Sequence, residues 1–184
     1  MVQTAKHTEA VYAGSFDPVT YGHLDIIFQA AAMMDTLHVV VACNSSKSPI
    51  FTPQERADMV RDEINSIVIP RLAQAGHNHN IQVHTHGGLM AAFMKANNAP
   101  YFVRGLRLGT EFDKEYPSII VNRNEYPVFT PVFLCSTDPA LQVVSSSIAR
   151  EVAAFSGSSL HKYVSPAVEK QLVDRMNKLG LIKP

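Results

Sequence analysis

The sequence predicts a single-domain α/β fold in which a five-stranded parallel sheet is flanked by helices. Short apolar or β-branched segments alternate with segments of helical periodicity, as is typical of a parallel sheet. The length of 184 residues suits one domain, and the 46% of apolar residues can fill a sizeable core. We treat 1–184 as one domain, with a flexible polar leader at 1–9 and a C-terminal helix and tail at 165–184.

The strands are predicted where short apolar runs are bounded by turn residues. Residues 37–43 are almost all apolar, as expected of a strand that is buried on both faces. In chain order the five predicted strands are 10–13, 37–43, 81–85, 101–103 and 132–135.

The helix that begins near Thr52 has the clearest start signal. Thr52 can cap the helix, Pro53 suits its first position, and Glu55 can close a capping box. The other helical patterns show apolar residues at a spacing of three to four. The predicted helices are 23–34, 52–68, 89–96, 111–122, 147–155 and 166–179.

Prolines, glycines and polar runs predict where these helices stop. The second helix should end before Pro70, so that 69–80 forms a long surface loop. Pro117 should bend or restart the helix in which it lies. Ser165 is expected to cap the last helix and Gly180 to end it.

Composition excludes several classes of protein. Sixteen basic and sixteen acidic residues give a net charge of zero, so nucleic-acid binding through a strong positive field is not expected, although a local basic site stays open. No apolar run approaches the roughly 20 residues of a membrane span, and residues 1–9 lack the apolar core of a signal peptide. We therefore expect a cytoplasmic protein without a membrane partner, with Cys43 and Cys135 as buried, reduced thiols.

Residues 14–23 carry the most specific pattern. The first predicted strand runs into Gly14, which permits a tight turn and close approach by a ligand, and Ser15 offers a hydroxyl at the strand end. A helix start follows, whose free N–H groups favour phosphate. Gly22 would let a phosphate come close, and His23 could donate a hydrogen bond to it. The alternative interpretation is a turn closed by a capping histidine.

This segment lacks the lysine of a Walker loop and the three glycines of a dinucleotide fingerprint. Its Thr-x-Gly-His pattern resembles the signature of the nucleotidyltransferase superfamily, whose form class I aminoacyl-tRNA synthetases share. In a doubly wound, Rossmann-like fold, ligands bind beyond the carboxyl ends of the strands, near the point where the strand order reverses. The pattern therefore predicts a phosphate site there.

Three further segments follow predicted strands. Lys47 follows the second strand, where the alternative is a solvated loop lysine. Arg104 and Arg107 follow the fourth, and two guanidinium groups at one edge call for anionic partners such as phosphates. The serines at 145–147 open a helix and could form a second phosphate cradle or simply cap that helix.

Together these segments resemble the phosphopantetheine adenylyltransferase family over about residues 10–167. The resemblance rests on motifs that occur in the family's order and at about its spacing. The Arg-Gly-Leu-Arg motif is the one most particular to this family. The motifs are Gly-Ser-Phe-Asp-Pro-Val-Thr-x-Gly-His, Ser-Lys-x-Pro, Thr-x-x-Glu-Arg, Arg-Gly-Leu-Arg, Asn-Arg and Ser-Ser-Ser.

The resemblance implies transfer of AMP from ATP to 4′-phosphopantetheine, with release of dephospho-coenzyme A and pyrophosphate. It implies catalytic roles for His23, Lys47 and Arg104. Acceptor contacts are implied for Ser15, Lys47, Leu89, Met90 and Arg104. Nucleotide contacts are implied for Ser15, Phe16, His23, Gly105, Leu106, Arg107, Glu115, Leu141, Gln142, Val143, Val144, Ser145, Ser146 and Ser147.

The same resemblance implies a homo-hexamer and coenzyme A as a feedback ligand. Mg²⁺ is expected as the cofactor, held mainly by substrate oxygens rather than by protein ligands, because few carboxylates lie near the motifs apart from Asp17 and Glu115. Five histidines outside the motifs are interpreted as ordinary polar residues rather than as a metal site. They are His7, His77, His79, His84 and His86.

The chain departs from the family pattern near Glu115. Lys114 stands where the family has an aromatic residue, Pro117 interrupts the predicted helix, and the aromatic residue expected near 141–143 is absent. Two alternatives therefore stay open. One is a related adenylyl- or cytidylyltransferase that acts on nicotinamide mononucleotide or an alcohol phosphate. The other is a regulatory module that binds a nucleotide without turnover.

Overall fold

Five parallel strands form the sheet of the computed structural model, which describes residues 7–43, 48–107 and 111–183. The strand order is β3-β2-β1-β4-β5, so the order reverses between β1 and β4. The predicted fold class is confirmed. The strands are β1 Glu9–Gly14, β2 Thr36–Ala42, β3 Ile81–His86, β4 Tyr101–Leu106 and β5 Thr130–Cys135.

Helices cover both faces of this sheet, as the doubly wound pattern requires. Alternate side chains of β1 point to opposite faces of the sheet and pack into two hydrophobic cores. Tyr12 packs into the larger core with helices α1, α2 and α7. Val11 and Ala13 pack into the smaller core with α4 and α5. The helices are α1 Tyr21–Met33, α2 Pro53–Glu63, α3 Ile69–Gln74, α4 Met90–Ala96, α5 Glu111–Glu125, α6 Ser146–Ala154 and α7 Pro166–Lys178.

The capping box predicted at Thr52 is present, but the predicted end of that helix before Pro70 is wrong. A π-helical turn, Ile64–Val68, joins α2 to α3, and Pro70 lies in the first turn of α3, where a missing N–H is tolerated. Leu72 is fully buried and anchors this extension. The predicted loop at 69–80 is therefore helical in its first half.

Pro117 does not restart its helix, because α5 is continuous and extends beyond residue 122 to Glu125; the predicted bend stays a prediction. A proline in a helix removes one backbone hydrogen bond. Here the burial of Ile119 and Asn122 beyond the proline holds the helix against the sheet.

Two further predictions need correction. The first concerns the flexible leader predicted at 1–9. The backbone N–H and hydroxyl of Thr8 donate to the Asp35 carboxylate at 2.7 and 2.8 Å, and β1 begins at Glu9, so residues 7–9 belong to the fold. Residues 1–6 lie outside the described part. The second concerns the thiols, both predicted to be buried. Cys43 is half-buried but Cys135 is exposed, because it ends the edge strand β5.

Among the described helices, none has the length and apolar character to cross a membrane.

Candidate active site

The histidine segment at 14–23 and the arginine motif at 104–107 meet where the strand order reverses. β1 ends at Gly14 and β4 ends at Leu106, and these strands are neighbours in the sheet. The start of α1 and Arg107 lie beyond these two ends. Both signals of the sequence, the histidine motif and the arginine motif, therefore belong to one site.

Thr20 and His23 form a capping box at the start of α1. The backbone N–H of Thr20 donates to Nδ1 of His23 at 3.1 Å, and the Thr20 hydroxyl lies 2.9 Å from the same nitrogen. A nitrogen that accepts a backbone N–H carries no proton in the neutral ring, so the proton is on Nε2. The two interpretations of the motif are compatible, because one ring nitrogen caps the helix and the other can donate to a ligand.

The environment of His23 keeps the ring neutral. Burial, followed by the charges of Arg107 and Arg104, lowers the pKa of His23 from its usual 6.5 to about 4. Phe16 packs edge-on against the imidazole, with ring centroids 5.0 Å apart. His23 is therefore an oriented, neutral hydrogen-bond donor rather than a cation at neutral pH.

Phe16 and Gly14 pack closely against each other at the end of β1. Phe16 is completely buried, at a φ of 48°, and its ring covers Gly14 so closely that a Cβ on the glycine would lie 3.0 Å from Cζ. A side-chain contact between Phe16 and a nucleotide is incompatible with this burial. Gly14 makes room for that ring, and the expected close approach of a ligand to its backbone stays a prediction.

Arg104 is held by two contacts at the edge of the sheet. One terminal nitrogen donates to the carbonyl of Ala13 at 2.9 Å, and the other forms an ion pair with Glu115. The anionic partner expected for this arginine is thus supplied in part by the protein. Glu115 lies on the guanidinium of Arg104, and its predicted contact with the nucleotide stays a prediction.

Gly105 is also explained by packing. A Cβ at this position would lie 2.9 Å from Cγ1 of Ile26, so glycine lets α1 lie close to β4. This close packing brings the start of α1 next to the arginine motif. A contact of Gly105 and Leu106 with nucleotide stays a prediction.

The segment predicted to hold ATP lies across the start of α1. Residues Pro139–Val143 form a 3-10 turn, and the carbonyl oxygens of Leu141 and Val144 would both lie 3.5 Å from a Cβ at Gly22. A side chain at Gly22 would therefore point at this segment, and the expected close approach of a phosphate to Gly22 stays a prediction. Gln142 is half-buried in the turn and Val143 is exposed.

The three serines of the predicted phosphate cradle differ in their contacts. Ser145 caps α6 by accepting the N–H of Ile148 at 3.2 Å, which is the capping interpretation. The hydroxyl of Ser146 donates to the carbonyl of Pro18 at 2.8 Å and fastens α6 to the histidine segment. Ser147 is exposed, so its hydroxyl is the one best placed for a ligand.

Comparison with known proteins decides the family. The model of the cytidylyltransferase-like family matches residues 11–152. A phosphopantetheine adenylyltransferase of Paraburkholderia phytofirmans is 37% identical over 167 residues, which cover 91% of this chain and 90% of the relative. One of Carboxydothermus hydrogenoformans is 37% identical over 171 residues, 93% and 98% of the two chains. This chain belongs to the phosphopantetheine adenylyltransferase family. The resemblance expected from the motifs is thereby confirmed.

A solved structure extends the comparison of the fold. The nicotinic acid mononucleotide adenylyltransferase of Plasmodium falciparum complexed with NaAD aligns with a TM-score of 0.64 and 18% identity, covering 96% of this chain and 97% of that one. At this identity the likeness concerns the fold alone. The fold of this chain is thus shared with an enzyme named for another acceptor.

Leu89 and Met90, predicted as acceptor contacts, lie at the start of α4, which follows β3 at the carboxyl edge of the sheet. Leu89 has no side chain that could cap the helix. Buried Asn122 of α5 caps it instead, accepting the N–H of Ala91 at 2.8 Å. Lys47, the remaining predicted catalytic residue, lies outside the described residues.

Sequence reasoning missed Arg56, which is 3% exposed beneath the site. Its guanidinium donates to the carbonyls of Ser15 at 2.6 Å, Phe51 at 3.1 Å and Ala42 at 3.3 Å. It thereby ties the end of β1 to the segment after β2. The signal was the Thr-x-x-Glu-Arg motif, whose arginine is costly to bury unless it satisfies such carbonyls.

Arg150 was missed as well. It donates to the carbonyl of Asp17 and lies 3.7 Å from the Asp17 carboxylate. That carboxylate also accepts the N–H groups of Ile50 and Phe51, each at 3.0 Å. Arg150 therefore joins α6 to the histidine segment, and its only signal was its position one turn after the serines.

Proposed function

We propose that this chain joins AMP from ATP to 4′-phosphopantetheine in the site between β1 and β4, giving dephospho-coenzyme A and pyrophosphate. The observation that carries the proposal is the meeting of one neutral histidine donor, His23, with Arg104 and Arg107 at the reversal of strand order. Membership of the phosphopantetheine adenylyltransferase family supports the choice of acceptor.

The proposed reaction requires no side-chain base. The acceptor phosphate is an anion at neutral pH, and one of its oxygens attacks the α-phosphorus of ATP. The bond from that phosphorus to the bridging oxygen breaks as the new bond forms, and its electron pair leaves with pyrophosphate. The protein must hold two anions in line and stabilise the charge that develops between them.

The described residues suit this task in different ways. Nε2–H of His23 can donate to a phosphate oxygen without adding a charge. Arg104 is fixed by Ala13 and Glu115 and supplies a positive charge for the acceptor side. We assign Arg107 and the 141–147 segment to the nucleotide. Lys47 keeps its predicted role on the transferring phosphates.

Mg²⁺ is part of the proposal, but the described residues do not form a carboxylate site for it. The Asp17 carboxylate accepts two backbone N–H groups and faces Arg150, and Glu115 is paired with Arg104. Within the described residues no group of three His, Cys, Asp or Glu side chains is arranged around a metal. We therefore expect substrate oxygens to hold the ion, and activity that persists in excess EDTA would contradict this requirement.

A pyrophosphate-release assay tests the function. Purified protein is incubated with ATP and each of three acceptors: 4′-phosphopantetheine, nicotinamide mononucleotide and an alcohol phosphate. We expect release with the first, with dephospho-coenzyme A identified by mass spectrometry. Release with another acceptor alone would identify a related transferase. ATP binding without release would identify the regulatory module.

We also propose a homo-hexamer, supported by an apolar stripe on α5. Three exposed apolar side chains recur at a spacing of four along that helix, and one more exposed apolar residue directly follows the last of them. Such a contiguous patch is typical of a surface that another chain covers. The stripe consists of Phe112, Tyr116, Ile120 and Val121, which are between 39% and 51% exposed.

Size-exclusion chromatography with light scattering tests this assembly. We expect the wild type to elute as a hexamer and Ile120→Glu to elute as a smaller species. Met33→Glu, which changes an exposed apolar residue on another helix, is the control and should leave the mass unchanged. A wild-type monomer would overturn the proposal.

Coenzyme A is proposed as a feedback ligand, because it contains the phosphopantetheine arm and an adenosine nucleotide and can compete at the same site. Inhibition of pyrophosphate release that is overcome by raising the 4′-phosphopantetheine concentration would support this. A cytoplasmic location is expected because ATP is the donor, and cell fractionation tests it.

A further inference from the structure

The buried carboxylate of Asp25 is not used by the proposed reaction. Asp25 lies in α1, one turn after Gly22, and is 3% exposed. Burial of a carboxylate is costly unless hydrogen bonds replace its water. Its donors are Gln29 Nε2 at 2.9 Å, Ser136 Oγ at 2.9 Å, Thr137 N at 3.3 Å, Arg71 Nη1 at 3.3 Å and Thr137 Oγ1 at 3.5 Å.

Most of these donors belong to the chain that leaves β5. Ser136 and Thr137 form the turn that directly follows β5, and they contribute three of the five bonds. Gln29, one helical turn after Asp25, also donates to the carbonyl of Cys135 at 3.0 Å. Among the described residues, Arg71 is the single cation within ion-pair distance, and its side chain is 48% exposed and stacks on Phe28. The carboxylate thus makes more hydrogen bonds to the turn at 136–137 than to its cationic partner Arg71.

The turn at 136–137 sets the start of the proposed nucleotide segment. The Ser136 oxygen accepts the N–H of Asp138 at 3.3 Å, and the Asp138 carboxylate accepts the N–H of Ala140 at 2.8 Å, which caps the 3-10 turn. That turn places the carbonyls of Leu141 and Val144 over Gly22. A continuous chain of contacts therefore runs from Asp25 to the segment assigned to ATP.

Both ends of this chain of contacts lie on α1. Gly22 and Asp25 are three residues apart and so share one face of the helix, with Gln29 one turn further. Gly22 meets the middle of the 139–144 segment, and Asp25 and Gln29 hold its beginning. The same helix carries His23 at its start. The geometry fixes the nucleotide segment relative to the histidine that faces the phosphates.

We propose that Asp25 is a positioning residue for the nucleoside half of ATP: its carboxylate holds the turn at Ser136 and Thr137, and through that turn the segment 139–147. This inference rests on the proposed function, which assigns that segment to ATP. Asp25 does not contact the substrates. It controls how tightly ATP is held, while the acceptor phosphate and the reacting phosphorus are left to His23, Lys47 and Arg104.

The test compares three variants in the pyrophosphate assay, with each substrate varied in turn. Asp25→Asn keeps the shape but removes the charge and one acceptor oxygen. Ser136→Ala removes one donor of the turn and leaves the buried carboxylate in place. Arg71→Met, which retains a chain over Phe28, removes the cation without touching the turn. Thermal unfolding at one protein concentration is recorded for each.

We expect Asp25→Asn to raise KM for ATP about 10-fold, the scale of one lost hydrogen bond to a charged group. KM for 4′-phosphopantetheine and kcat should stay within about twofold. Ser136→Ala should reproduce part of the rise, and the double variant should show less than the product of the two effects because both act through one turn. Arg71→Met should leave KM for ATP unchanged.

Several results would overturn the inference. A lower unfolding temperature with unchanged KM for ATP would show that Asp25 only stabilises the fold. Equal changes in both KM values, or an effect of Arg71→Met as large as that of Asp25→Asn, would do the same. If Asp25→Asn fails to fold, Ser136→Ala still decides the question through KM for ATP.

Titration calorimetry with ATP alone separates this inference from the proposed function. A wild type that binds ATP but releases no pyrophosphate with 4′-phosphopantetheine would defeat the proposed reaction. The affinities of Asp25→Asn and Ser136→Ala for ATP would still be measurable. Unchanged affinities in both variants would defeat the positioning role.

Discussion

Nδ1 of His23 accepts the backbone N–H of Thr20 at 3.1 Å, which assigns one nitrogen of the ring to the helix and leaves the other for a ligand. In an ordinary capping box a glutamate or glutamine fills this position. A histidine can close the box and also present an oriented donor on its far side. The structural and chemical roles of His23 can therefore be separated by substitution.

Replacement of His23 by glutamine should remove the chemistry and keep the cap. We expect His23→Gln to lower kcat by ~10²–10³-fold, the scale of a lost transition-state donor, with little change in unfolding temperature. His23→Ala should lose the same activity and also ~1 kcal/mol of stability with the cap. Steady-state kinetics and thermal unfolding of both variants provide the measurements. Near-normal kcat in either variant would remove His23 from the mechanism.

The low pKa of His23 predicts how stability depends on pH. The pKa is about 4 in the folded chain and about 6.5 when unfolded, so the unfolded state binds more protons between these values. This contribution to stability is complete above about pH 6.5 and is lost as the pH falls towards 4. The difference between wild type and His23→Gln isolates this contribution. The unfolding temperature of the wild type should fall more steeply than that of the variant.

The same pKa predicts the pH dependence of the free enzyme. Because His23 stays neutral above pH 5, kcat/KM should show no inflection from this residue near pH 6.5. Any inflection in the wild type should therefore persist in the residual activity of His23→Gln. A wild-type inflection that disappears in the variant would show that the ring titrates in the working range.

Arg104 and Glu115 should act as one unit on the acceptor. Arg104 contacts the Ala13 carbonyl and Glu115 at once, which the planar fork of arginine permits and the single ammonium of lysine does not. We expect Arg104→Lys to lower kcat/KM for 4′-phosphopantetheine by about 10- to 100-fold. Glu115→Gln should have a smaller effect on the same parameter, and the two should not be additive. If Glu115→Gln instead raises KM for ATP alone, Glu115 contacts the nucleotide as the sequence predicted.

The parts of the site that could be predicted are those encoded in short segments. Thr20 and His23 are three residues apart, and local geometry alone makes them a capping box. Arg104 lies near the carboxyl end of β4 and Arg107 directly follows that strand, so the parallel sheet places them at the same edge as His23. In both cases the residues of each motif are close in sequence. The two motifs come together because the carboxyl ends of parallel strands meet at one edge of the sheet.

The parts that were missed depend on contacts between distant segments. Asp25 meets Ser136 and Thr137 more than a hundred residues away. Local rules also failed where tertiary packing outweighed them. Pro70 predicted that the helix beginning at Thr52 ends before it. In the structure a π-helical turn precedes Pro70 and Leu72 is buried after it, so the chain stays helical past the proline.

Two glycines of the histidine segment provide a matched test of this packing. A Cβ at Gly14 would lie 3.0 to 3.3 Å from three ring atoms of Phe16, whereas a Cβ at Gly22 would meet its neighbours at 3.5 Å, an ordinary contact distance. Phe16 is completely buried and cannot move away freely. We expect Gly14→Ala to cost about 1–3 kcal/mol through overpacking. Gly22→Ala should change stability by less than about 0.5 kcal/mol.

Thermal unfolding at a fixed protein concentration measures the difference. For a chain of this size, the predicted cost corresponds to a fall of roughly 2–4 °C for each kcal/mol in Gly14→Ala. The strain should also reach the active site, because the Phe16 ring that it displaces packs against His23 at 5.0 Å. Gly14→Ala should therefore lower kcat as well as the unfolding temperature. If Gly14→Ala is as stable and active as Gly22→Ala, the Phe16 ring does not hold His23 in place, and the capping box alone must orient the imidazole.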